Sequence, residues 1–133
     1  MAETAALLVD NVLPQQPVRQ WVLSLPFALR YLLATRPEVV TQVLGIVYRA
    51  ISSHLIRKAG LTRASAVTLI QRFGSALNPN VHFHLLVLDG VYRRDGEDRL
   101  RFVPVPAPST EELKRPVQRI AERIGRSLER SGL

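Results

Sequence analysis

Cysteine is absent from the 133 residues, which excludes disulfides and any cysteine-ligated zinc. A metal ion here would have to be held by His, carboxylate, amide or water ligands. No uninterrupted apolar run approaches the roughly 20 residues that cross a bilayer, and Glu3 and Asp10 interrupt the start where a secretory signal would lie. These absences predict a soluble, cytoplasmic protein without a membrane partner. Acid is scarce as well. Between Asn11 and Leu88, eight Arg or Lys residues face the single acid Glu38, within a net charge of +7. Such a field attracts polyanions, whether nucleic acid, anionic lipid or a ribosomal partner. The remaining acids, mostly from Asp89 onward, distinguish the chain from a histone-like tail.

What is present predicts one α+β domain over residues 1–133, an antiparallel sheet of four to five strands with helices packed on it. Residues 1–14 read as a short helix closed by Pro14. "RQWVLSL" at Arg19–Leu25 is β-favouring and stopped by Pro26. A helix over Pro37–Lys58 follows from Pro37 in its first turn, a Thr35/Glu38 capping-box spacing and Gly60 beyond its end. Its stripe of Val40, Val43, Leu44, Val47, Ala50, Ile51 and Leu55 should be buried, with His54 half-buried beside it. Ser65–Phe73 and Val81–Asp89 read as neighbouring antiparallel strands joined by "GSALNPN", and "DGED" joins a further hairpin of Val91–Arg94 and Leu100–Val105. Residues 109–131 form the last helix, opened by the Ser109/Glu112 spacing. Its Leu113, Val117, Ile120, Ile124 and Leu128 should be buried, and Pro116 should kink it or shift its start. A second stripe of Arg115, Arg119, Arg123, Arg126 and Arg130 reads as a solvated face, paired in part with Glu111, Glu122 and Glu129.

The chemistry-bearing stretch is "NVHFHLL", which sets two of only three histidines, His82 and His84, one residue apart. Residues two apart in a strand share a face, so both imidazoles would project together while Phe83, Leu85 and Val87 anchor the other face in the core. His-x-His alone also describes two imidazoles making ordinary hydrogen bonds on a half-exposed strand. A central strand, a basic domain and a polar group next door favour a metal. With the turn centred near Ala76, Gln71 falls opposite or beside His82 as a third ligand, with Asp89 or His54 as alternatives. Two histidines and an oxygen ligand suit a divalent ion acting as a Lewis acid on a phosphodiester.

The run "IQRFGSALNPNVHFHLLVLDGVY", Ile70–Tyr92, resembles the HUH region of the rolling-circle insertion-sequence transposases of the two-tyrosine type, in which HUH means His, bulky hydrophobic, His. His82, Phe83 and His84 match it residue for residue, and the likeness extends upstream through "QWVLSLPFALRYLLA" at Gln20–Ala34. The resemblance implies an HUH-endonuclease-like domain whose histidine pair holds Mg²⁺ or Mn²⁺ against the scissile phosphate of single-stranded DNA at transposon ends. A tyrosine hydroxyl then attacks phosphorus, leaving a 5′-phosphotyrosine and a free 3′-OH. Arg63, Arg72, Arg93 and Arg94 flank the motif as candidate DNA contacts.

Two departures qualify the match. The family's N-terminal cysteine-rich zinc segment has no counterpart, and its nucleophilic tyrosine lies well beyond the motif, whereas Tyr31, Tyr48 and Tyr92 precede it or follow at once. The chain is therefore expected to be an internal piece of a transposase, inactive alone, with the remainder of that protein as a partner. Two alternatives stand beside this one: a non-catalytic basic DNA-binding module, and a remnant without function.

Overall fold

In the computed structural model, which describes residues 16–66, 68–75 and 78–132 and gives backbone alone for Phe27, 68–75 and 78–82, the stretch before Pro26 forms strand β1 (Val18–Ser24). The helix expected over residues 1–14 lies outside the described residues. After Pro26 the chain enters a helix that the sequence reading missed, α1 (Phe27–Thr35). At nine residues it is too short for its periodicity to speak, and among its described side chains only Leu33 is fully sunk. Helix α2 (Pro37–Lys58) keeps the expected bounds. The Thr35/Glu38 capping box does not form. Thr35 still belongs to α1, its hydroxyl donates to the Tyr31 carbonyl at 2.9 Å, and the N-cap is Arg36 with no side-chain cap. Gly60, at φ +75°, ends the helix in the left-handed conformation that glycine adopts without strain.

Strands β2 (Thr68–Ser75) and β3 (Asn78–Leu88) follow, then β4 (Gly90–Arg94) and β5 (Leu100–Pro104). Among the described residues these strands do not make the single four- to five-stranded sheet expected. They form a three-stranded antiparallel sheet, β1-β3-β2, and a separate β4-β5 hairpin. The division falls at Asp89, whose N–H donates to the Pro17 carbonyl while its own carbonyl accepts from Val105 N–H, both at 2.8 Å. One residue thus closes the edge of one sheet and opens the other.

The core lies between the β3 face that carries Phe83, Leu85 and Val87, all at most 1% exposed, and the stripe of α2 that carries Val43, Val47 and Ile51. By length and composition α2 could cross a membrane, but its apolar residues are taken up by this core. Helix α3 (Thr110–Arg130) opens with the predicted capping box, Ser109 Oγ accepting from Glu112 N–H and Glu112 Oε1 accepting from Ser109 N–H, each at 3.1 Å. Pro116 does not shift the start; it lies inside the helix and is buried. Ile120 and Ile124 are buried as expected, but Val117 is 54% exposed, because Pro116 rather than Val117 fills the packed side of that turn. Bonds from Ser127 to Gln42 and from Lys58 to Glu112 show that α2 and α3 pack antiparallel.

Candidate metal centre and nucleic-acid surface

The histidine motif sits on the central strand. On one side Ser24 pairs with His82 and Val22 with His84; on the other, Phe73 pairs with His82 and Gln71 with His84. Paired positions in an antiparallel sheet share a face. Positions 71, 73, 82 and 84 therefore share one face with 20, 22 and 24 of β1. It is the face opposite the core: Gln20 and Ser24 are exposed and Val22 is 57% exposed. The bulky residue between the histidines, Phe83, is wholly buried and holds the strand to α2.

Of the two positions the sequence allowed for Gln71, the register gives the one beside His82: it lies directly opposite His84, because the β2–β3 ladder is irregular between Phe73 and Ser75 and shifts the register. Nothing in the sequence marks that shift except Gly74. Neither alternative third ligand joins the pair. Asp89 is gripped by the Arg19 guanidinium, Nε to Oδ1 at 3.1 Å and Nη2 to Oδ2 at 3.2 Å. His54 lies on the core side of the sheet, edge-on to Trp21 with ring centroids 6.1 Å apart. Burial, then the Lys58 charge, push its pKa below the usual value.

Sequence reasoning missed Gln20, whose side-chain amide lies 2.6 Å from His84 Nδ1. Positions 20 and 84 lie diagonally across the β1–β3 ladder, so only the register could have revealed it. A partner on Nδ1 fixes the ring, as the second ring nitrogen of metal-bound histidines is fixed. Ligation through Nε2 fits an amide turned so that its oxygen accepts the Nδ1 proton. Among the described residues no cluster of three His, Cys, Asp or Glu side chains could hold a metal. The proposed set, two histidines and an amide, is of another composition.

Of the four arginines named as DNA contacts, Arg63, Arg93 and Arg94 come together with Tyr92 around an open hollow of about 970 Å³. The isolated bridge between Ser65 and Tyr92 joins the segment after Arg63 to β4 and assembles it. Arg94 donates to the Asp98 carbonyl at 3.2 Å. Arg72 is set apart on β2, opposite Phe83. The Tyr48 hydroxyl donates to the Ala66 carbonyl at 3.4 Å, and the Tyr92 ring packs edge-on to Phe102 at 5.3 Å.

An α+β domain with His-x-His on the outer face of its central strand, and with an arginine-lined hollow at β4, is the class that fold and site define. A family model described as "Putative transposase" matches residues 65–133, just over half of the chain and all of the motif, and the chain belongs to that family. No curated protein and no solved structure matches it.

Proposed function

We propose that this chain serves DNA transposition by the rolling-circle route, its histidine face holding Mg²⁺ or Mn²⁺ against a phosphate of single-stranded DNA in the cytoplasm. The observation that carries this reading is the register of β3, which sets positions 82 and 84 together on the outer face while Phe83 is locked in the core. Family membership gives the reaction class. Bound there, the ion would supply Lewis-acid stabilisation of charge on phosphate oxygens. The chain's own contribution is a rigid mount, a ring fixed by Gln20, and the Arg63, Arg93 and Arg94 hollow to hold neighbouring phosphates. Tyr48 and Tyr92 are engaged in packing, Tyr31 is 80% exposed on α1 outside the matched residues 65–133, and none of the three is assigned as nucleophile. The covalent step is proposed to need a tyrosine from another part of the transposase, and this chain alone to bind without strand transfer.

Calorimetric titration with Mn²⁺ tests this. The folded chain should bind one ion, His82→Ala and His84→Ala should abolish binding while keeping the native circular dichroism, and Gln20→Ala should weaken it roughly 10- to 100-fold. Absence of Mn²⁺ binding by the folded parent would sink the metal reading. DNA binding indifferent both to Mn²⁺ and to His82→Ala would leave a basic DNA-binding module.

A further inference from the structure

The arginine stripe of α3 does not behave as a self-neutralised face. Among the described residues the ion pairs of this helix are Lys114 with Glu111 and Glu112 with Lys58, and Glu122 accepts from Gln118 at 3.1 Å rather than from an arginine. Arg123, Arg126 and Arg130 instead meet Arg49 of α2 across an open groove of about 620 Å³ between the two helices, and no acid lines it. A hydrogen bond from Ser127 Oγ to Gln42 Oε1, 3.3 Å, ties its floor.

Arg49 lies over a glycine there. A Cβ at Gly45, one turn earlier, would lie 3.3 Å from Arg49 Nη1, so the guanidinium folds back along α2 over the bare backbone. Glycine inside a helix is less stable than alanine by about 1 kcal/mol, and gathering like charges also opposes folding. Neither feature serves the fold. Further along the same seam Arg57, Arg115 and Arg119 surround a narrower dent, so positive charge continues from Arg115 to Arg130. At 1.5 Å per residue that is about 22 Å, the axial distance in which one strand of duplex DNA presents about six phosphates.

We propose that the α2–α3 groove is a second nucleic-acid contact, which takes the phosphodiester backbone of DNA through Arg49, Arg123, Arg126 and Arg130. Guanidinium forks match phosphate oxygens in pairs. A membrane is the poorer occupant, since the groove is concave and no exposed large apolar residue lines it. It is also distinct from the histidine site. Helix α2 packs on the sheet face that carries Phe83, so the groove and positions 82 and 84 lie on opposite sides of the sheet. The DNA held here is a flanking segment, not the one at the histidines.

The test is fluorescence anisotropy with a fully paired duplex of about 20 bp, followed over about 50 to 200 mM salt. Replacing Arg49, Arg123, Arg126 and Arg130 together by Gln should reduce the slope of log affinity on log salt by about three to four, and Arg126→Gln alone by about one. Lys114→Gln, outside the groove, should leave the slope unchanged. An unchanged slope in Arg126→Gln or in the fourfold variant would overturn the proposal, as would an equal drop in Lys114→Gln. Binding of anionic vesicles with none of duplex would do the same. Loss of the Mn²⁺ response with an intact duplex slope would count against the histidine reading and not this one.

Discussion

His54 and Glu112 report on the same junction from opposite ends of the pH scale. His54 packs its ring against Trp21, the only tryptophan, and its buried Nε2 has no hydrogen-bond partner among the described residues. The groups around it are Lys58 and Arg57 of α2 and Glu112, Arg115 and Arg119 of α3; burial and Lys58 lower its pKa, Glu112 opposes them and Arg57 adds to them. A base whose folded pKa is lowered stays neutral while the unfolded chain takes up its proton. Its contribution is complete above the unfolded value of about 6.5 and is lost as pH falls from there toward the folded value. Glu112 is held at about 2, first by the Lys58 ammonium and then by the Ser109 N–H. Its contribution is complete above the usual carboxylate value and is lost as pH falls through about 2. Thermal melts from pH 8 to 2 should thus show two declines, the upper removed by His54→Leu and the lower reduced by Lys58→Met, with Asp95, held low by Arg101, accounting for part of what is left; one decline insensitive to both would refute the assignment. At this scale the candidate site was half readable. Strand alternation gave the shared face of His82 and His84 and the burial of Phe83. Gln20 and the true partner of Gln71 depend on pairings between segments far apart in sequence, and no local pattern encodes those.

Elements were readable where one physical signal dominated. A stripe at helical spacing and a closing glycine gave α2, and a capping box gave the start of α3. The same rules failed at the junctions. Thr35 has the spacing of a cap but is claimed by the preceding helix, and Pro116 is accommodated inside α3 by its burial. The division into two sheets was hidden because it rests on the bonds of Asp89 to Pro17 and Val105, both far from it in sequence or across a hairpin. The next residue is under a steric demand of its own: a Cβ at the buried Gly90 would overlap the Val103 carbonyl oxygen and the Phe102 ring across the hairpin. Gly90→Ala should therefore destabilise the protein by about 1–3 kcal/mol, with the loss in the β4–β5 hairpin. Urea melts give the total, and amide exchange should show faster opening of Val91 and Val103 than of Phe83 and Leu85. Uniform acceleration would mean that the two sheets do not open separately.

The whole molecule carries net charge +7 and distributes it unevenly. Six ion pairs join described residues, three of them between side chains that are both more than 60% exposed and screened by solvent, and exposed pairs are typically worth about 0–1 kcal/mol each. Against these stand the unpaired arginines of the α2–α3 groove, whose mutual repulsion exists only when the two helices are packed. If repulsion outweighs the pairs, added salt should stabilise, because screening relieves the larger of the two terms. The melting temperature should rise as sodium chloride increases from about 50 to 500 mM, with fluoride and chloride acting alike so that the effect is screening and not specific anion binding. The fourfold Arg→Gln variant should melt at or above the parent in low salt and lose that dependence. A groove kept for binding at a cost to stability behaves in this way. A variant that melts lower than the parent in low salt would show instead that these arginines hold the helices together, and their place in the seam would then be structural.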